Sequence, residues 1–418
     1  MPAGDAPPSP PGTPLSEAAR RRGRWLAWLS HPAGMTHRFA YTSDLPTLAL
    51  VSLGASEIVI GLQRALEHLG QLLQLPTLRA VGRVRKRSIL VAGQLVAILA
   101  GLPLVLWYGF ASRGPGAVPF ALACFAGVSV GIVISGTVWF PLLRSYVEPE
   151  RIGSFFGILR TGWHVTLIVY FLAAQRWLAA HPEGFGLLFA VASVLGILRI
   201  ALVARLPEAE GERGTPIRVR EALALVRGEP ALRRYLAGMS LFGGARQAVI
   251  PFVIVWMRRE MGLSAADVLL ATVASFAGGL VSLYLWGRLV DRSGPGPVFR
   301  GTAVATALMM MALHWIPATP VVWPMVALFF AFAVLFAGFG VADTHLLFSI
   351  TPTQAPSRHL VVASVTTSTL SGLVPLAAGL ALEQLLAVGV PTLSAYRGLF
   401  GTAAVLALLA LIPLRHFR

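Results

Sequence analysis

Charged residues are scarce in this chain, and acidic residues are the scarcest. Only 12% of its 418 residues are charged, whereas a soluble domain carries about 25%. Apolar residues make up 56% of the chain, and the mean hydropathy is +0.72. This balance excludes most classes of soluble enzyme and predicts a chain that lies mainly in a lipid bilayer.

Cysteine is almost absent as well, since Cys124 is the only one and lies in an apolar run. A single cysteine excludes a disulfide framework and a cysteine-based metal site. The sequence also lacks a Walker loop, an H-E-x-x-H helix and a G-x-S-x-G turn. An ATP-driven pump and a membrane hydrolase would need such motifs. We therefore expect no enzyme activity, no metal and no cofactor.

Twelve apolar segments follow a proline-rich, arginine-rich start of the chain. One bilayer crossing takes about 20 apolar residues. The segments are 27–51, 55–77, 88–111, 118–140, 158–178, 185–205, 232–256, 264–287, 300–318, 321–347, 359–388 and 396–415. The predicted fold class is an all-α membrane protein, with a disordered tail over 1–24, six-helix bundles over 25–205 and 232–418, and a cytoplasmic linker over 206–231.

The distribution of cations predicts the orientation of the chain. The chain has 34 Lys and Arg against 18 Asp and Glu, and Lys86 is the only lysine. If both termini are cytoplasmic, 24 of these cations lie on the cytoplasmic side and 5 on the other. The positive-inside rule accounts for such a bias, so we expect no nucleic-acid binding and both termini inside.

An internal repeat relates the two halves of the chain. Leu53-Gly54-Ala55-Ser56 matches Met261-Gly262-Leu263-Ser264 at an offset of 208 residues, and the same offset places Arg38 on Arg246. Half the chain length is 209 residues. Such a period indicates two homologous bundles.

The turn after the eighth segment reads Gly287-Arg288-Leu289-Val290-Asp291-Arg292-Ser293-Gly294. It resembles the G-x-x-x-D-R-x-G signature of the major facilitator superfamily, which that family places between helices 8 and 9. The glycines permit a tight turn. The resemblance covers residues 25–418 and implies gating roles for Gly287, Asp291, Arg292 and Gly294.

The equivalent turn in the first half, residues 78–87, departs from this signature. It keeps basic positions, Arg83 among them, but lacks the leading glycine and the aspartate. In the family this loop is a conformational latch between the halves. Arg83 is therefore either a gating residue or only a cytoplasmic cation.

The resemblance also implies that helices 1, 4, 7 and 10 line a central cavity. Arg38 and Arg246 would then lie near the membrane midplane, where an arginine costs about 2.5–3.5 kcal/mol unless it faces protein or water. Together they are similar to the arginine pair of organophosphate exchangers in the superfamily, which predicts an anion clamp, with Tyr41, Thr42 and Trp139 beside it. The alternative is local neutralisation by Asp44 or Asp343.

Three further residues are candidates for proton coupling. His37 and Asp44 are seven residues apart, so in a continuous helix they would share one face. Asp343 lies deep in the tenth segment and is the third candidate. For each of them an inert pairing is the alternative.

Two other polar groups are interpreted as structural. Arg64, Glu67 and His68 form a self-neutralised stripe on the second segment, and Arg160 with His164 is the same case on the fifth.

These features predict a secondary active transporter that works by a rocker-switch form of alternating access. It would move a small solute, with an organic anion favoured, coupled to an ion or solute gradient. A proton-coupled exporter of drugs or amphipathic metabolites is one alternative, and a nontransporting membrane scaffold or sensor is another. The expected partners are the substrate, protons and lipid, for a monomer in the bacterial inner membrane.

Overall fold

The computed structural model describes residues 15–81, 84–110, 114–148, 151–208, 219–351 and 356–417. Within these ranges the regular structure is helical throughout. Arg83, predicted as a gating residue, lies outside the described residues.

Sixteen α-helices make up the described chain. In the first half they are α1 Glu17–Thr42, α2 Asp44–Ser52, α3 Glu57–Leu69, α4 Gln74–Val81, α5 Lys86–Phe110, α6 Ala117–Leu143, α7 Ile152–Ala180 and α8 Phe185–Val203. After these come α9 Val219–Gly228, α10 Pro230–Arg259, α11 Ala265–Ser293, α12 Pro295–Ala312, α13 Val322–Ser349, α14 Pro356–Ala387, α15 Thr392–Leu409 and α16 Leu411–Leu414.

Nine spans among the described residues are long and apolar enough to cross a membrane. They coincide with nine of the twelve predicted segments. The other three segments coincide with α1 and α2, with α3 and α4, and with α12. In the first two of these the helix is interrupted, by Ser43 and by a short 3₁₀ turn over Gly70–Leu73.

Two predicted boundaries need correction. The predicted disordered tail extended to residue 24, but α1 begins at Glu17, where the Ser16 hydroxyl caps the Ala19 N–H. Glu17 also pairs with Arg20 at 3.0 Å and with Arg24 at 2.8 Å, and its carboxylate reduces the repulsion between these neighbouring arginines. The predicted linker contains α9, and α10 begins inside it, at Pro230.

The repeated four-residue segments adopt matching turns. Gly54 and Gly262 have φ of 81° and 65°, the left-handed region that other residues rarely adopt. Each is followed by a serine at the helix N-cap, Ser56 before α3 and Ser264 before α11. Ser264 forms a capping box with Asp267.

The two halves of the chain meet through α3 against α14 and through α7 against α11. The first of these contacts depends on glycine. A Cβ on Gly61 would clash with the Pro375 carbonyl oxygen, and one on Gly379 would clash with the Glu57 carbonyl oxygen. Small residues permit such close approach of helices in a membrane.

We expect Gly61→Ala and Gly379→Ala each to separate α3 from α14, because the added methyl group meets backbone that cannot rotate away. Electron paramagnetic resonance on spin labels at Ser52 and Val388, with the native cysteine replaced, should then report a longer distance between the two labels. Gly136→Ala is the control, since a Cβ there meets nothing within 4 Å. An unchanged distance in both interface variants would contradict this packing.

Candidate functional site

A cavity of about 490 Å³ lies between the two halves of the chain. This volume lies in the range of small-molecule sites. The first half contributes residues of α1, α2, α3 and α7, and the second half contributes residues of α10, α11, α12 and α13. The polar lining consists of Thr42, Ser43, Asp44, Arg64, Glu67, His68, Arg160, His164, Arg246, Gln247 and Ser275.

The break between α1 and α2 shapes the polar side of this cavity. Ser43 has φ of −105° and ψ of −134°, which is not helical. Pro46 has no N–H, so the Thr42 carbonyl four residues earlier loses its helical donor. In a membrane interior, an unsatisfied backbone carbonyl costs several kcal/mol. The break therefore requires a donor from elsewhere.

Arg64 on α3 supplies that donor. Its Nη1 donates to the Thr42 carbonyl at 3.0 Å and to Glu67 Oε2 at 3.4 Å. Its Nη2 donates to Asp44 Oδ1 at 3.3 Å. The side chain is buried, with 6% of its surface exposed, so one guanidinium joins the broken helix to two carboxylates.

Asp44 connects this hydrogen-bond network to the second half of the chain. Its Oδ2 accepts a hydrogen bond from the Thr272 hydroxyl on α11 at 2.8 Å. Asp44 is itself 8% exposed. Its two oxygens therefore join Arg64 in the first half to Thr272 in the second.

Positive charge exceeds negative charge around the cavity. Arg64, Arg160 and Arg246 line it, against the carboxylates Asp44 and Glu67. Arg246 lies in electrostatic range of both carboxylates but forms no ion pair with any described residue. A net positive, partly enclosed space favours an anionic group.

The opposite wall is apolar and aromatic. The guanidinium carbon of Arg246 lies 3.6 Å from the ring centroid of Phe336, a cation–π contact that holds the fork at the boundary between the two walls. The apolar lining includes Phe39, Phe276, Leu283, Met309, Leu313, Leu328, Phe329, Phe332, Phe336 and Val341. The cavity is therefore amphipathic.

Polar contacts beside the repeated turns also join the two halves of the chain. Arg259 Nη1 donates to Glu57 Oε1 at 2.5 Å, and the Tyr396 hydroxyl donates to the same oxygen at 3.2 Å. The Ile58 N–H donates to Glu383 Oε2 at 3.1 Å. Each of these bonds joins the first half to the second.

Of the residues singled out from the sequence, Arg246, Thr42 and Asp44 line the cavity. Arg38 is exposed, one residue from the lining residue Phe39, and lies in electrostatic range of Glu67. It is not among the lining residues themselves.

Three predicted site residues lie elsewhere in the first half. The Tyr41 side chain is fully buried, and its hydroxyl meets Ser193 on α8 at 2.9 Å. His37 is buried against Gln94 on α5, at 3.1 Å. The break at Ser43 is the physical reason that His37 and Asp44 do not share a face, because the spacing rule assumes a continuous helix.

Trp139, predicted to line the cavity, is also buried in the first half. Its ring stacks on His31 and lies under the guanidinium of Arg199.

Asp343 does not pair with Arg246. The Tyr235 hydroxyl donates to its Oδ1 at 2.5 Å, and Asp343 is not among the residues lining the cavity. Its partner is thus a neutral phenol within the second half.

In the predicted gating loop, Asp291 and Arg292 are exposed at the end of α11. Gly294 follows with φ of 78°, which explains the glycine there. A Cβ on Gly287 would have no atom of the described residues within 4 Å, so packing does not require a glycine at that position.

Sequence reasoning missed the role of α3 and α7. Arg64, Glu67, His68 and Arg160 were interpreted as structural stripes, yet all four line the cavity. The Arg64 and Glu67 pair does exist, at 3.4 Å. The available signal was their position, since an ionisable residue inside a membrane segment is a functional candidate by default.

We expect Arg64→Met to lower the free energy of unfolding by about 3–5 kcal/mol, because it leaves the buried Asp44 carboxylate, the partly buried Glu67 carboxylate and the Thr42 carbonyl without their cationic partner. Denaturant titration in mixed micelles measures the change. Arg160→Met is the matched control on the same cavity, since Arg160 is exposed and forms no ion pair with a described residue, and it should change stability by less than about 1 kcal/mol. Equal losses in the two variants would contradict the role given to Arg64.

Comparison with known proteins identifies the family. The profile of the Major Facilitator Superfamily matches residues 27–378. The proton-coupled antiporter flippase LtaA of Staphylococcus saprophyticus is 24% identical over 297 residues, which cover 68% of this chain and 68% of the relative.

Solved structures of transporters share the fold. The nucleoside transporter NupG superposes with a TM-score of 0.73 at 12% identity, over 96% of this chain and 100% of that one. A bacterial homologue of the human lysosomal transporter Spinster, inward-facing and unoccupied, gives 0.70 at 14% identity, over 96% and 97%. A D-xylose-proton symporter gives 0.69 at 17% identity, over 94% and 97%. The predicted fold class is confirmed, and the chain belongs to the Major Facilitator Superfamily as a multi-pass membrane protein of secondary active transport.

Proposed function

We propose that this transporter exchanges protons for an amphipathic organic anion by a rocker-switch form of alternating access. The amphipathic cavity is the observation that carries the proposal. Charged groups of α2, α3 and α10 form one wall, and the phenylalanines of α13 form the other. Such a cavity matches a solute with a charged head and an apolar body. The flippase relative, a proton-coupled antiporter, supports the same class.

Arg246 is proposed to bind the anionic head. It lines the cavity without an ion pair to any described residue, so its donors are available to a substrate. The planar guanidinium presents a fork that suits carboxylate and phosphate groups. The apolar body would then lie along Phe332 and Phe336, next to that fork.

Asp44 is proposed to accept the coupling proton. Its charged form receives hydrogen bonds from Arg64 and Thr272, which lie in different halves of the chain. Protonation removes the charge that attracts Arg64, and a neutral carboxyl group binds a guanidinium less strongly. The hydrogen bonds that join Arg64 to Thr272 through Asp44 would therefore weaken when Asp44 is protonated.

The orientation follows from the cation count. Both termini are proposed to lie in the cytoplasm of a bacterial cell, which places the repeated turns on the outer face. We expect a monomer to be sufficient because the cavity is built within one chain.

We expect Asp44→Asn to abolish accumulation driven by a pH gradient in proteoliposomes while leaving substrate exchange intact. Asparagine keeps the shape of the side chain but cannot cycle a proton. Taurocholate and a fluorescent short-chain phosphatidylglycerol serve as amphipathic anion probes. Asp343→Asn is the control, because Asp343 lies off the cavity lining. Gradient-driven accumulation that survives in Asp44→Asn, or is lost equally in Asp343→Asn, would refute the assignment.

We expect Arg246→Lys to reduce transport of the same anions by about 10- to 100-fold, equivalent to about 1.4–2.8 kcal/mol. Lysine keeps the charge but loses both the fork and the stacking on Phe336. Arg288→Lys is the matched control, since Arg288 lies over Tyr284 at 4.6 Å in an exposed pair. Full transport in Arg246→Lys would exclude the anion role, and absence of any flux in the unmodified protein would favour a nontransporting scaffold.

A further inference from the structure

The first half of the chain encloses a second cationic group away from the central cavity. We infer that His31, Gly34, Trp139 and Arg199, named here the Arg199 pocket, form a site for a phosphate-class anion between α1, α6 and α8. Its three polar side chains are absent from the lining of the central cavity. This site is therefore independent of the proposed transport function.

Arg199 is buried without a counter-charge. Its side chain keeps 7% of its surface exposed, and no described carboxylate forms an ion pair with it or lies in its electrostatic range. The titratable groups in its electrostatic range are Arg38, His31 and His37, none of which is acidic. A buried guanidinium is normally paired or hydrogen-bonded, so the missing partner points to an acceptor from outside the chain.

The surroundings of Arg199 are rich in unpaired donor and ring nitrogen atoms. Arg199 Nε, Trp139 Nε1 and His31 Nδ1 are all buried and have no hydrogen-bond partner among the residues that the structure describes. Trp139 and His31 keep only 3% and 8% of their surface exposed. An imidazole or indole nitrogen can donate to an oxyanion, whereas a second cation could not be accommodated here. A ligand with several acceptor oxygens would satisfy these groups together.

The neighbouring helices leave room for the guanidinium and position it. A Cβ on Gly34 would overlap Arg199 Nη1, so only glycine at this point of α1 allows Arg199 to enter. The Arg199 Cζ atom lies 5.0 Å from the Trp139 ring centroid, and the His31 ring stacks on Trp139 with the ring centroids 5.5 Å apart. The fork is therefore held in place by packing before any anion arrives.

The depth of the pocket suits the head-group region of one leaflet. Arg199 lies four residues before the end of α8 at Val203, and Trp139 lies four residues before the end of α6 at Leu143. At a rise of 1.5 Å per residue, both are about 6 Å from the helix ends. Basic pockets between transmembrane helices at this depth bind lipid head groups, and a soluble phosphate can reach the same level.

Two binding measurements on the purified full-length chain distinguish the sources. Inorganic phosphate is titrated against potassium chloride at equal ionic strength, with the melting temperature as the readout. Retention of phosphatidylglycerol is compared with that of phosphatidylcholine by native mass spectrometry. Binding in the first measurement alone assigns the site to a free phosphate, binding in the second alone assigns it to a lipid head group, and either result supports the site.

Arg199→Gln should weaken the observed binding at least tenfold. Arg205→Gln is the matched control, because it removes the same charge from an exposed position just beyond the same helix and should leave binding unchanged. Arg199→Lys, which keeps the charge and perturbs folding less, should give an intermediate loss because it lacks the fork.

Gly34→Ala tests the geometry with every charge retained, and it should also weaken binding because the methyl group displaces the guanidinium. Equal losses in Arg199→Gln and Arg205→Gln would overturn the inference, since they would indicate unspecific attraction. Absence of preferential binding to phosphate and to phosphatidylglycerol in the unmodified protein would overturn it as well.

Discussion

The interaction of Arg64 with the broken first helix is the constraint on which the rest of the site depends. A helix that stops inside a membrane exposes a carbonyl that lipid cannot satisfy. Pro46 makes that exposure unavoidable at Thr42, and Arg64 resolves it at 3.0 Å. A guanidinium at this depth in turn needs negative charge, which Asp44 and Glu67 supply. The kink, the cation and the carboxylates therefore form one unit.

The same unit lies where the two halves of the chain meet. Thr272 of the second half binds Asp44 directly, and Arg259 of the second half pairs with Glu57 of the first. A change of charge at Asp44 would therefore act on the contact between the halves as well as on the cavity. This gives the proposed coupling a physical route, because one carboxylate belongs to both the polar wall and the interface. The phenylalanine wall opposite it provides no titratable group and is suited to the apolar part of a solute.

Much of the fold was predictable from residue spacing and composition. Apolar segments, the cation distribution and the repeat at 208 residues lead to two related helical halves, and the turns at Gly54 and Gly262 match in backbone conformation. Within the site, Thr42, Asp44 and Arg246 were predicted and do line the cavity. Tyr41 and Trp139, predicted beside the substrate, and His37, a candidate for proton coupling, do not line it. Helical spacing reports which residues share a face only while the helix is continuous, and it cannot show what that face contacts.

The sequence by itself determined the class of protein, the approximate limits of the helices and the presence of costly charges within apolar segments, since these follow from local hydrophobicity and backbone chemistry. Only the tertiary structure decided which charges meet. Arg64 reaches Asp44 from another helix, and Thr272 reaches it from the other half of the chain, 228 residues away. Such pairings depend on how whole helices rotate and cross, and no property of either residue's own segment specifies that geometry.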